Sequence, residues 1–146
     1  MTFWKKIAIG CGVLLFGTVG LIGVFIYSLP PFDNMCGNQV LQEYPSPSGK
    51  LKAVVFQRDC GTTTGFSTQV SIIQTGSVLE NEGGNLFAAD TNHDGAPSGI
   101  GGGPEIRFRW VTDSSAELQH HSLVRIFHAK TKVEGVQVAF ATFADR

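Results

Sequence analysis

The sequence predicts an all-β domain, an antiparallel β-sandwich or strongly curved sheet of about seven short strands, preceded by one N-terminal transmembrane helix. Three observations predict it. Eighteen glycines and eleven phenylalanines against two methionines favour strands and turns over a helical bundle. Past Leu29, apolar residues alternate in short runs between turn residues, with no helical period. Before that point stands a single long uncharged run.

That run, Ile7 to Leu29, exceeds the roughly 20 residues a helix needs to cross a bilayer. Lys5 and Lys6 precede it, and the first charge after it is Asp33. This asymmetry puts the N-terminus in the cytoplasm and the rest of the chain outside, across an inner (plasma) membrane. Trp4 and Tyr27 lie near the two ends, where amphipathic rings prefer the lipid boundary. Pro30-Pro31 stops the helix, because proline lacks the N–H and disfavours helix before it. The layout expected is a cytoplasmic tail over 1–6, a transmembrane helix over 7–29, a linker and lead-in segment over 30–48, and an exported β domain over 49–146. A cleaved signal peptide is the competing reading. The apolar run is longer than the usual core of roughly 7–15 residues, and no small-x-small cleavage site follows it. Ala8-Ile9-Gly10-Cys11 has too few apolar residues before the cysteine for a lipoprotein signal. Gly10, Gly17 and Gly20 could share one face for a helix-mediated homodimer, although glycine is common in membrane helices without that role.

The residues after the anchor suffice for one modest core. A net charge of −1 argues against nucleic acid as a partner. Cys11 falls in the apolar run, whereas Cys36 and Cys60 fall in the exported part, where a pair of cysteines is expected to be bridged. A nucleophilic or metal-binding Cys60 is the alternative, but no partner histidine is evident. The chain has no Asn-x-Ser/Thr sequon.

Gln39 to Glu43 forms a short first strand in this reading. Ser46-Pro47-Ser48-Gly49 is a turn, with proline pre-setting the first corner and glycine accepting positive φ at the exit. Lys50 to Arg58 is apolar on both faces at Ala53 to Phe56, which suggests a central strand. Phe66 to Ile72 alternates cleanly, and the glycine-bounded stretch 61–65 makes the two a hairpin rather than a phosphate loop, since no Gly-Lys-Ser/Thr ending follows. Residues 74–104 are turn-rich apart from a short strand at Asn85 to Ala89, and a long irregular stretch of this kind is often a functional surface. Ile106, Phe108 and Trp110 alternate with Glu105, Arg107 and Arg109. Ala116 to His120, Val124 to Ala129 and Val136 to Phe143 complete the strands.

Two stretches, SPSGKLKAVVFQRDCGTTTGFSTQVSII from Ser46 and GGNLFAADTNHDGAPSGIGGGPEIRFRW from Gly83, resemble a group of uncharacterised bacterial proteins with one N-terminal membrane helix. The resemblance covers roughly residues 36–128. It implies a bacterial source and the anchored layout, and it transfers no activity or catalytic residue.

Asp90-Thr91-Asn92-His93-Asp94-Gly95 fits the first half of a calcium loop, in which alternate oxygen side chains converge on a hard cation. Asp90, Asn92 and Asp94 are therefore candidate metal ligands. The position expected to carry a bidentate Glu is Gly101, so any Ca²⁺ site is a weak one, and no other cofactor is called for. The plainer reading is an Asx turn. Arg107 and Arg109 share one strand face, with Arg125 a third member, and are candidates for binding an anionic headgroup or acid. A solvated face is the plainer alternative. His93, His120, His121 and His128 show no HExxH pattern and read as surface or hairpin-end residues. Gly65-Phe66-Ser67-Thr68-Gln69 lacks the second glycine of a nucleophile elbow. With no nucleophile–base pair, the function expected is a membrane-anchored extracytoplasmic binding or interaction module for an envelope protein or small ligand. An envelope hydrolase using Asp or His residues of 90–128 and an immunity or exclusion protein of the envelope are the alternatives.

Overall fold

A computed structural model describes residues 17–28, 36–61 and 64–144. The chain divides into two compact units, Met1–Asn34 and Met35–Arg146. In the first, residues 17–28 are helical and exposed throughout. No helix among the described residues is long and apolar enough to cross a membrane. The run expected to span, 7–29, extends beyond the described helix at both ends, and Trp4, Lys5, Lys6, Cys11 and Pro30 also lie outside the described residues.

The second unit is all β. Its strands are β1 (Gly37–Pro45), β2 (Leu51–Asp59), β3 (Ser67–Gln74), β4 (Phe87–Asp90), β5 (Ile106–Thr112), β6 (Ser115–His121), β7 (Arg125–Ala129), β8 (Lys132–Val133) and β9 (Val136–Phe143). They form a five-stranded sheet in the order β1-β2-β3-β4-β7 and a four-stranded sheet in the order β5-β6-β9-β8. The described strands number nine, where about seven were expected. The shortfall came partly from β8, only two residues long, which shows no alternation to read.

β6 and β9 pair in parallel, so the smaller sheet is mixed rather than antiparallel. Between them the chain crosses to the far edge of the larger sheet as β7 and returns through β8. Side-chain alternation is the same in both directions, so no period in the sequence distinguishes them.

The two sheets face each other across one core. Ala53, Val55, Val70, Ile72 and Phe87 contribute from the larger sheet, and Phe108, Leu118 and Val138 from the smaller. Each large side chain fully buried here stabilises by roughly 1.5–3 kcal/mol relative to exposure. The expected hairpin is present as β2 and β3, antiparallel with Val55 opposite Val70. β2 is central, as its two apolar faces predicted, and Val54 and Phe56 on its other face are 0% exposed. The segment after β3 covers that outer face. Gly84 N–H donates to Gln69 Oε1 at 2.6 Å, and Asn38 Nδ2 donates to the carbonyls of Glu80 and Glu82. Asn85 extends the ladder with its side chain, accepting from Ile72 N–H and donating to Ile72 C=O at 2.9 Å each. The Cys36–Cys60 disulfide ties the start of β1 to the end of β2, beside the paired Gly37 and Asp59.

Candidate functional site

β1 and β5 are edge strands of opposite sheets, and a slot opens between them. The register of β1 slips between Val40 and Gln42, so Leu41 bulges. Beyond the bulge Gln42 and Tyr44 oppose Val55 and Ala53, which puts them on the core face. Such a bulge re-aims the side chains around it. On β5, Ile106 and Phe108 face inward by the alternation already visible in the sequence.

One end of the slot is clamped. Trp110 Nε1–H donates to the carbonyl of Tyr44 at 2.8 Å. The Phe108 ring fills the corner, with centroids 5.8 Å from Tyr44 and 5.4 Å from Trp110.

Glycines close the other end. Gly99 N–H donates to Gly103 C=O at 2.7 Å, and Ser98 bridges Pro104. The loop so formed lies flat against the larger sheet, in a way only glycine permits. A Cβ on Gly101 would stand 2.5 Å from Gln57 Oε1, and one on Gly103 would stand 2.5 Å from Thr68 Oγ1 and 2.8 Å from Thr68 N. Gly101 and Gly102 also hold φ of 87° and 85°. Among the described residues, no hydrogen bond ties residues 99–103 to β1, β2 or β3. The loop meets the sheet through close packing against Gln57 and Thr68.

The cavity measures about 350 Å³, within the usual range for small-molecule sites. Leu41, Val55, Ile106 and Phe108 supply its apolar wall. Thr68 lines it from β3, two strands in from the sheet edge. This residue is 1% exposed, and among the described residues its Oγ1 has no hydrogen-bond partner. Leaving such a group unsatisfied costs about 1–3 kcal/mol. The charged residues of the lining, Glu105 and Arg107, bond each other at 2.7 Å near the surface. The Arg107 guanidinium also lies 4.1 Å from the centre of the Phe143 ring. Burial raises the pKa of the Tyr44 phenol, which keeps it neutral.

The Asp90 region is organised differently. Asp90 Oδ1 accepts from Asn92 N–H at 2.9 Å, an Asx turn, and Asn92 Nδ2 donates to Leu123 C=O. Asn92, His93 and Asp94 follow in the left-handed region, with φ of 53°, 54° and 64°. The Asp90 carboxylate is ion-paired with Arg125, whose Nη1 also lies 3.4 Å from His93 Nε2. Burial pushes the Asp90 pKa up, but the bonds from Arg125 and Asn92 N–H and the nearby positive charge outweigh it and hold the carboxyl below its usual range. Among the described residues, no group of three or more His, Cys, Asp or Glu is placed to hold a metal ion.

Arg107 and Arg109 both point outward from β5, and Arg109 pairs with Glu117 at 2.6 Å. Arg125 does not join them, because it belongs to β7 in the other sheet. His120 and His121, expected at the surface or at a hairpin end, stand at the end of β6 but are buried. They are 7% and 6% exposed, and His120 stacks on Phe87 with centroids 5.5 Å apart. Alternation places His120 inside, and His121 packs edge-on against Phe143 with centroids 5.9 Å apart.

Reading the sequence missed Thr68, Tyr44 and the slot itself. The available signal was the run Gly101-Gly102-Gly103, which marks a place where backbone must approach backbone. No protein-family model, curated protein or solved structure matches the chain.

Proposed function

We propose that the chain is a membrane-anchored binding module that takes a small ligand in the slot between β1 and β5. The observation that carries this reading is the Thr68 hydroxyl, buried and without a partner among the described residues, in the wall of a cavity of about 350 Å³ whose remaining lining is partly apolar and partly polar. Ligand sites typically combine an apolar wall with a few placed polar groups. The anchor rests on the uncharged run Ile7 to Leu29 behind Lys5 and Lys6, with the β domain periplasmic or extracellular. The hydrolase reading has less support, since the Asp90 carboxylate is committed to Arg125.

Two measurements test the proposal. The full chain, extracted from membranes in mild detergent, is expected to carry a small molecule detectable by native mass spectrometry. Gln42→Trp, which places a large ring at the exposed mouth, should lose it while melting normally. Equal retention by the variant places the ligand elsewhere and overturns the slot. For the anchor, the protein is expected to stay with membranes through a carbonate wash, and release into the soluble fraction overturns it.

A further inference from the structure

Building on the slot as a ligand site, we infer that its ligand is an uncharged amphiphile, with an apolar body along β5 and one hydroxyl or carbonyl head that bonds Thr68 beneath the glycine loop. Three features of the cavity lead there.

The first is charge. A buried ion needs a partner. Glu105 and Arg107 neutralise each other across 2.7 Å, so the lining offers no net charge to an ionic ligand. The second is the hydroxyl. Thr68 Oγ1 can both donate and accept, and it is the buried lining atom left without a partner among the described residues. An oxygen on the ligand completes it. The third is access. Gly103 lies directly over that oxygen, and, among the described residues, 99–103 make no hydrogen bond to β1, β2 or β3 beneath. Lifting the loop breaks contacts but no bonds to the sheet, and it uncovers Thr68. The exposed Ile100 at the loop tip then returns as an apolar cover.

Size sets the body. A cavity of ~150 Å³ takes benzene, so one of about 350 Å³ suits about a dozen non-hydrogen atoms.

Three matched probes differ only in the head: 3-phenylpropan-1-ol, 3-phenylpropanoate and 3-phenylpropylammonium. They are titrated against the full chain in phosphatidylcholine nanodiscs, with empty nanodiscs as blank. Trp4→Phe leaves Trp110, beside Phe108, as the fluorescent reporter. The alcohol is expected to give a saturable signal, with both ions at least about tenfold weaker. Thr68→Val should weaken the alcohol by about fivefold, the value of one neutral hydrogen bond. Thr68→Ser, which keeps the hydroxyl, should retain most of the affinity. Ions that bind as tightly as the alcohol, or a Thr68→Val protein that binds it unchanged, overturn the inference and leave the slot standing. Failure of all three probes to give a saturable signal overturns the slot as well.

Discussion

Trp110 reaches from one sheet to the other and donates its indole N–H to the carbonyl of Tyr44 at 2.8 Å. Each residue sits on an edge strand, β5 or β1, so this bond closes the sandwich where neither sheet has another strand to offer. It also fixes one end of the slot.

Trp110→Phe keeps an aromatic ring against Phe108 and removes the donor. It is expected to cost about 1–2 kcal/mol, a lost hydrogen bond plus a partly buried carbonyl left unpaired. Urea unfolding followed by circular dichroism measures it. An unchanged midpoint means that the clamp carries no stability.

Gly103→Ala should destabilise by about 1–3 kcal/mol, because its Cβ would meet backbone at Thr68 N, 2.8 Å away, and backbone gives way only by moving the loop. Gly76→Ala is the control. A Cβ there meets nothing within 4 Å, and its effect should stay within about 0.5 kcal/mol. Equal effects at the two sites, in thermal or urea unfolding, mean that the close approach is not a constraint.

The reach of the sequence is clear from these residues. Ile106, Phe108 and Trp110 share one face because a strand alternates, and that face packs against the core. The central position of β2 followed from apolar residues on both faces. Two cysteines in the part of the chain expected to be exported predict a bridge, and Cys36 and Cys60 are bonded. What could not be read was long-range. The β1 bulge at Leu41, the parallel register of β6 on β9 and the meeting of Gly103 with Thr68 each depend on which strands become neighbours. No local period encodes that. Asp90 shows the same limit from the other side. Its spacing to Asn92 and Asp94 invited a cation, while Arg125, far along the chain, takes its carboxylate.

That ion pair has a pH signature. The folded pKa of Asp90 is depressed below its ordinary 3.8. A depressed acid contributes stability that is fully present above the unfolded pKa and is lost as pH falls through the folded one. Stability should therefore decline below about pH 4, and Asp90→Asn should flatten that part of the curve while lowering stability near neutrality. Urea midpoints from pH 2 to 7 test this. A variant curve parallel to the wild type excludes Asp90 as the source.

The same pair bears on calcium. An ion at Asp90 must compete with Arg125 for the carboxylate, and Gly101 offers no bidentate carboxylate at the motif's last position. Binding at a concentration equal to Kd stabilises by only about 0.4 kcal/mol. Millimolar calcium or a chelator should leave the melting temperature nearly unchanged. A shift of many degrees, abolished by Asp90→Ala, means that calcium displaces the arginine.

Reducing Cys36–Cys60 releases a loop spanning 24 positions, and the chain-entropy model gives about 3 kcal/mol for closing one of that size. The loop holds β1 against β2, and β1 forms one wall of the slot. Reduction should lower stability by roughly that amount and weaken ligand uptake in parallel. Alkylation of the native protein without reductant should modify neither cysteine. Labelling of Cys60 under those conditions contradicts the bridge.

If Thr68 bonds a ligand as proposed, stability and binding oppose each other at this position. Its hydroxyl is buried under Gly103 without a partner among the described residues, and an unsatisfied group of this kind costs about 1–3 kcal/mol. Valine has nearly the same shape, suits a central strand equally well and has no group to leave unsatisfied. Thr68→Val should therefore raise the stability of the ligand-free chain by about 1 kcal/mol, while most substitutions at a site 1% exposed lower it. The same change removes the polar contact a ligand would make, so affinity should fall as stability rises. A residue kept only for packing shows no such opposition. Urea unfolding of ligand-free protein reads the first effect, and probe titration reads the second. If the valine protein proves less stable, the hydroxyl is satisfied in the folded chain and the argument from an unpartnered group fails. A gain in stability with loss of binding identifies Thr68 as a position where the fold gives up stability for a ligand.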